Sequence, residues 1–151
     1  MLATIDGNNS AIKDILIQEV DKFDYRFKRY GINYSVMIGF STEPIDFAQF
    51  SSSIRKSDSF VLIAPNLCAI ILDSVNNSNG IKAANKLLTS FQQTYFSKKI
   101  YSCVVTASNH ESVKQMIDEL YYLLTYAITN AIDDTLVDNS YLSKIYVQID
   151  K

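Results

Sequence analysis

The sequence predicts a mixed α/β (α+β) fold, in which helices pack on a ferredoxin-like or palm-type mixed sheet with a central antiparallel hairpin. Two short apolar runs, 60–63 and 67–72, flank a Pro-Asn pair at 65–66, which is typical of strand, turn and strand. Helical and strand periods alternate through the rest of the chain, beginning with an N-terminal helix. One antiparallel hairpin within such an order predicts a mixed sheet.

The composition bounds the class of protein. The chain has 151 residues, of which 48% are hydrophobic and 20% charged, so we expect a single domain over 1–151. The net charge of −2, with lysines and arginines scattered, argues against nucleic-acid binding. Residues 1–10 show no signal-peptide pattern, and no run reaches the roughly twenty apolar residues of a membrane span. We therefore expect a cytoplasmic protein.

The first half of the chain predicts a helix, a strand and a second helix before the hairpin. Apolar residues recur every three or four positions over 10–29, where Asn9 or Ser10 can cap the helix and Gly31 can end it. Residues 34–40 are apolar apart from Ser35 and Gly39, which indicates a buried strand. Pro44 favours a helix start over 42–44, with an end near Lys56.

The second half predicts two more helices and two more strands. They lie over 81–95 (helix), 99–106 (strand), 113–131 (helix) and 141–149 (strand). Ser108 and Glu111 have the spacing of a capping box for the longer helix. His110, the sole histidine, lies within that box and is predicted to be solvated.

Three segments carry a resemblance to a known family. Residues 27–31 lead into the first strand, Arg55 and Asp58 form an Arg-x-x-Asp motif shortly before the hairpin turn, and 118–122 read Asp-Glu-Leu-Tyr-Tyr. In this order they resemble the GGDEF domains of bacterial diguanylate cyclases over about residues 15 to 130. The resemblance implies a domain of bacterial cyclic di-GMP signalling.

The signature turn departs from that family. The resemblance places the Gly-Gly-Asp/Glu-Glu-Phe signature on the five residues Ala64, Pro65, Asn66, Leu67 and Cys68. In the family the glycines let the turn approach the nucleotide, and the acidic residues help to bind metal and activate the attacking hydroxyl. Here the turn has no carboxylate, and proline removes a backbone donor. We expect this signature to be degenerate.

Other catalytic positions differ as well. The resemblance places the metal-binding aspartate of the first strand on Gly39, and the phosphate-binding lysine and arginine of the last helix near Thr125 and Thr129. The segment between Gly39 and Arg55, which recognises guanine in the family, is shorter here. Because two-metal phosphoryl transfer requires carboxylates, we expect no enzymatic activity, no metal and no cofactor.

Arg55 and Asp58 have two interpretations. In family members, an Arg-x-x-Asp at this position forms an inhibitory site for cyclic di-GMP, with arginine on phosphate or guanine and aspartate on guanine donors. Alternatively, Arg55 ends a helix near its negative pole and Asp58 shapes the turn into the strand.

The predicted function is therefore a catalytically inactive GGDEF-like domain that serves as a protein-interaction or regulatory module. Tyr121, Tyr122 and Tyr126 lie on one predicted helix and are the candidate interface, for a protein partner or a homodimer. The alternatives are a cyclic di-GMP receptor that uses Arg55 and Asp58, an active enzyme with rearranged ligands, and an unrelated ferredoxin-like interaction domain.

Overall fold

A five-stranded mixed sheet organises the computed structural model, which describes residues 2–6, 9–95 and 97–142. In chain order the elements are α1 (Ser10–Tyr30), β1 (Tyr34–Phe40), α2 (Ala48–Ser53), β2 (Ser59–Ala64), β3 (Leu67–Asp73), α3 (Asn77–Thr94), β4 (Tyr101–Thr106), α4 (Val113–Thr129) and β5 (Leu136–Val137). The predicted fold class is confirmed, as is the order of the elements from α1 to α4.

The strands lie in the order β2-β3-β1-β4-β5, with β1 in the middle. β1 pairs antiparallel with β3 and β4, whereas β4 and β5 are parallel, which makes the sheet mixed. The hairpin contributes β3 to the interior of the sheet and leaves β2 at its edge. Every residue of β1 and β3 is buried, as expected of strands that helices cover on both faces.

The core lies on both faces of the sheet. On one face α1 and α4 bury residues such as Leu16 and Leu120 against the strands. On the other face α2 and α3 meet through Phe50 and Phe91, whose rings stack with centroids 5.1 Å apart. None of the helices in the described ranges is both long and apolar enough to cross a membrane.

Two predicted helix starts are wrong. α2 begins at Ala48 instead of 42–44, because the Ile45 amide donates to the Pro65 carbonyl (3.1 Å) and Asp46 accepts from the Ala48 amide (3.0 Å). α3 begins at Asn77, four residues before the predicted start at 81, because the Asn76 side chain caps it by accepting from the Asn79 amide (2.8 Å). Both differences follow from hydrogen bonds that hold or cap the backbone at the helix entrance.

The predicted capping box at 108–111 is also wrong. α4 begins at Val113, and the Ser112 hydroxyl caps it by accepting from the Gln115 amide (3.1 Å). The Ser108 hydroxyl instead accepts from the Asn33 side chain (2.9 Å), within a short 3₁₀ turn over Ala107–Asn109. The Ser108 hydroxyl, which the sequence pattern assigned to the helix cap, is therefore bonded to Asn33, just before β1.

The sequence analysis did not predict β5, and it placed a strand over 141–149 instead. β5 is the short Leu136–Val137 segment, which pairs parallel with β4 through Ser102 and Cys103. The Leu142 amide donates to the Asn139 carbonyl (3.1 Å), which closes a turn. The predicted strand therefore does not begin at 141. The remainder of that prediction, 143–149, lies outside the described residues.

Candidate functional site

The hairpin tip lies beside the end of β1. Cys68 pairs with Gly39 and Leu67 pairs with Phe40, so the tip and the last residues of β1 are direct neighbours in the sheet. The GGDEF resemblance requires this placement, with Gly39 next to the signature turn. Leu67 and Cys68 are buried and the tip has no charged side chain.

Hydrogen bonds within the protein occupy the polar groups of the turn. The buried Asn66 side chain accepts from the Ala3 amide (2.7 Å) and donates to the carbonyls of Ala3 (2.9 Å) and Ser41 (2.8 Å). The Asn66 carbonyl in turn accepts from the Ser41 amide (3.0 Å). This asparagine therefore ties the turn to β1 and to the N-terminal segment, which leaves it no side-chain group for an outside ligand.

Apolar and neutral groups surround Gly39. A β-carbon at this position would lie 3.4 Å from the Cys68 sulfur, 3.4 Å from a methyl of Ile100 and 3.9 Å from the Phe50 ring. Ser102 pairs with Gly39 from the opposite strand, and its buried hydroxyl has no hydrogen-bond partner among the described residues. Burial raises the pKa of the Cys68 thiol, which keeps it neutral. The described groups around Gly39 therefore offer a divalent cation no carboxylate.

Asp58 is a buried acceptor at the start of β2. Its carboxylate accepts from the Arg55 amide (2.9 Å), from the Arg55 Nε and Nη2 groups (3.3 and 3.0 Å) and from the Asp73 amide (2.8 Å). Only 2% of its side chain is exposed. Asp58 thus fastens the loop before β2 to the end of β3, which is what the turn-shaping interpretation requires.

Arg55 is more accessible than its partner and lines a cleft. Its side chain is 55% exposed, and one guanidinium nitrogen also donates to the Asp73 carbonyl. The cleft has a volume of about 280 Å³ and lies between the end of α2 and the middle of α3. Lys86 lines the cleft as well. Its proximity to Arg55 could not be predicted from the sequence, because the two residues are distant in the chain and meet only in the fold.

Comparison with known proteins identifies the architecture. No protein-family model and no curated protein matches the chain. The GGDEF domain of YfiN (TpbB) from Pseudomonas aeruginosa matches at a TM-score of 0.63 and 10% identity, over 87% of this chain and 95% of that one. The GGDEF domain of DgcB from Caulobacter crescentus, solved with cyclic di-GMP, matches at 0.59 and 11% identity, over 91% and 96%.

A third solved structure agrees with these two. A microbial GGDEF domain that interacts with cyclic di-GMP matches at a TM-score of 0.62 and 7% identity, over 87% of this chain and 93% of that one. The chain has the GGDEF fold. At these identities the likeness establishes the architecture, and the chemistry must be argued from the residues themselves.

Within the GGDEF fold, α4 presents neutral side chains at the two positions that the resemblance assigns to phosphate binding. The Thr125 hydroxyl donates to the Tyr121 carbonyl one turn earlier (3.0 Å), and Thr129 is exposed. Across the described ranges, no group of three or more histidine, cysteine, aspartate or glutamate side chains is arranged to hold a metal ion.

The three tyrosines of α4 do not form one exposed face. Tyr121 is buried, with 3% exposure, because its hydroxyl accepts from the Asp6 amide (3.0 Å) and donates to the Asp6 carbonyl. Tyr126 is half-buried and its ring contacts that of Tyr141. Tyr122 is 48% exposed and is the member of the set that is most accessible to a partner.

His110 is buried and paired, so the prediction of a solvated histidine is wrong. Its side chain is 4% exposed; Nε2 lies 2.5 Å from a Glu119 carboxylate oxygen and Nδ1 lies 3.0 Å from the Thr106 carbonyl. Both neighbours are acceptors, so the doubly protonated ring satisfies both contacts. Burial acts to lower the His110 pKa, but the hydrogen bonds to Glu119 and Thr106 and the Glu119 charge raise it above its ordinary value of 6.5.

This pair predicts a pH dependence of stability. A raised pKa in the folded state means that the His110 contribution is fully present below the pKa of the unfolded chain and is lost as pH rises through the folded pKa. We expect Glu119→Gln to lower the unfolding free energy by about 1–3 kcal/mol at about pH 5.5, and by less at about pH 8.5. Denaturant unfolding across this range measures the difference.

The control for this prediction is Glu111→Gln, which removes an exposed carboxylate from the same segment. Its difference from the wild type should be small and should change little with pH. A Glu119→Gln deficit that grows as pH rises would contradict the assignment of a charged His110.

Proposed function

We propose that this chain is a single, catalytically inactive GGDEF-like domain that serves as a cytoplasmic protein-interaction or regulatory module in bacterial signalling. The observation that carries the proposal is the pairing of Gly39 with Cys68 at the hairpin tip. The GGDEF resemblance expects metal-binding and acidic groups at this contact. This chain has a glycine and a buried thiol there, packed under Phe50 and Ile100.

Without the metal-binding and acidic groups at the hairpin tip, two-metal phosphoryl transfer lacks its metal ligands, so we expect the reaction to be lost and not merely slowed. Divalent cations in phosphoryl transfer are held by carboxylates and neutralise the charge that develops on the transferred phosphate. Asn66, the polar residue of the turn, already bonds to Ala3 and Ser41 and is neutral. The tip therefore contributes neither a metal ligand nor a base. Incubation with GTP and Mg²⁺ or Mn²⁺ tests the proposal and should give no product.

A second candidate function is binding of cyclic di-GMP. It is favoured by the cleft that Arg55 shares with Lys86, since two cations beside one cavity suit a ligand with two phosphates. Two of the solved GGDEF domains that resemble this fold were described with cyclic di-GMP. Asp58 would act here mainly by holding Arg55 in place, because its oxygens are already engaged.

Titration calorimetry with cyclic di-GMP tests this candidate. If the cleft is the site, Arg55→Ala and Lys86→Ala should each weaken binding by about ten-fold or more, because each removes a charge-assisted contact with phosphate. Lys82→Ala is the matched control, since Lys82 is exposed one turn earlier on α3 and does not line the cleft. No heat from the wild type at high micromolar ligand would end this candidate.

A further inference from the structure

Asp58 is the one carboxylate among the described residues that line the cleft beside Arg55, and its acceptor sites are already filled. One oxygen accepts from the Arg55 amide and Nε (2.9 and 3.3 Å), and the other accepts from Arg55 Nη2 and the Asp73 amide (3.0 and 2.8 Å). A carboxylate has about four acceptor sites, and only 2% of this side chain is exposed. Asp58 therefore has no acceptor left for a bound ligand.

The other polar side chains of the cleft are cations and hydroxyls. Arg55 and Lys86 are both exposed, so both can present positive charge to a ligand in the cavity. The hydroxyls of Ser53 and Ser90 each accept from the Gln49 side chain (3.4 and 2.9 Å), and each can donate its own hydrogen to a ligand. Positive charge and hydroxyl donors suit the oxygens of a phosphate.

Apolar side chains form the remainder of the lining. Leu72 of β3 and Leu87 of α3 are buried residues of this lining, and Ile54 and Ala83 are half-buried. Side chains of this kind can contact the face of any flat ring, but they form no hydrogen bonds with the groups on its edge. The lining therefore favours a ring next to the phosphate without selecting which ring it is.

We propose that the cleft binds cyclic dinucleotides through their phosphates and does not distinguish guanine from adenine. Guanine differs from adenine in the N1–H and amino donors of its pairing edge, which a carboxylate can accept and a cation cannot. The GGDEF resemblance assigns those donors to the aspartate of the motif, whereas Asp58 is buried and fully bonded within its own chain. The inference rests on the second candidate function and names the wider ligand class of the same cleft.

Titration calorimetry of the wild-type protein with cyclic di-GMP and with cyclic di-AMP tests the inference. The two ligands share their sugar–phosphate ring and their charge and differ in the base, so we expect dissociation constants within about five-fold of each other. A larger preference for cyclic di-GMP would overturn the inference and leave the second candidate function in place, and a larger preference for cyclic di-AMP would also overturn the inference. No heat from either ligand at high micromolar concentration would overturn both.

Two variants give an independent readout through the ratio of the two dissociation constants. Lys86→Ala should weaken both ligands by a similar factor, because it removes a phosphate contact that they share. Asp58→Asn should also weaken both, since Arg55 is held less firmly, and should leave the ratio unchanged. A selective loss of cyclic di-GMP binding in Asp58→Asn would show that Asp58 contacts guanine and would overturn the inference. Circular dichroism checks the folding of this variant, and the wild-type comparison decides without it.

Discussion

Gly39→Asp is expected to destabilise the protein strongly and not to create a metal site. The new carboxylate would enter a space bounded by the Cys68 sulfur, a methyl of Ile100 and the Phe50 ring, all within 4 Å of the added β-carbon. A buried charge without a partner is unfavourable, and Ser102, which pairs with Gly39 on β4, carries only a neutral hydroxyl. We expect a loss of unfolding free energy of about 3 kcal/mol or more, measured by chemical denaturation.

Gly39→Ala is the control, because its methyl group would lie 3.4 Å from the nearest atoms, which need to move only slightly. We expect this substitution to lower the unfolding free energy by about 1 kcal/mol. Adding Mg²⁺ or Mn²⁺ should leave the unfolding temperature of Gly39→Asp unchanged, since none of the described groups nearest to this position is a second carboxylate. Metal-dependent stabilisation of the variant would show that a cation site is latent there and would contradict the account.

Asp58→Ala is expected to have the second large effect. The substitution removes every acceptor atom of a buried carboxylate and leaves the amides of Arg55 and Asp73 without their side-chain partner. The bond to the Asp73 amide is partly buried, whereas the bond to the Arg55 amide is exposed. Because an unpaired buried amide costs about 1–3 kcal/mol, a loss of about 2–3 kcal/mol is expected. The loop before β2 would also lose its attachment to β3, and hydrogen exchange should accelerate there.

Arg55→Ala separates the two members of the motif. Its guanidinium is more than half exposed, so removing it should lower the unfolding free energy by about 1 kcal/mol or less. The expected asymmetry distinguishes a buried structural aspartate from an arginine that is accessible to a ligand. Equal losses in the two variants would mean that the pair acts as one structural unit, contrary to this division of roles.

The sheet and its hairpin could be predicted from the sequence because their signals are local. The largely apolar runs of β1 and β3 reflect burial on both faces, and Pro65-Asn66 marks the turn between strands. The start and end of α1 were predicted for the same reason: Asn9 caps its first turn and Gly31, with φ of 71°, ends it. These features depend on neighbours in the chain.

The features that could not be predicted depend on distant partners. Ser108 has the pattern of a cap, but Asn33 binds it across the fold. Tyr121 looks like part of an exposed face until the N-terminal segment covers it through Asp6. His110 reads as a surface residue because nothing in its spacing from Glu119 indicates that the turn before α4 would bring the two together.

The same limit applies to the candidate site. The sequence placed Gly39 beside the signature turn through the resemblance, and the pairing with Cys68 confirms that neighbourhood. The sequence did not indicate that the Asn66 side chain would be hydrogen-bonded to Ala3 and Ser41. Nor did it indicate that Lys86 would line the same cleft as Arg55. Both depend on tertiary contacts, between the turn and Ala3 in one case and between α2 and α3 in the other.

The central claim, that this GGDEF-like domain is inactive, is tested most directly by incubation of the purified protein at high concentration with GTP and either Mg²⁺ or Mn²⁺. An active diguanylate cyclase serves as the positive control, and chromatography together with a pyrophosphate assay detects turnover. We expect neither cyclic di-GMP nor pyrophosphate above the protein-free blank with either cation. Product that forms with the protein and disappears on chelation of the cation would contradict the account.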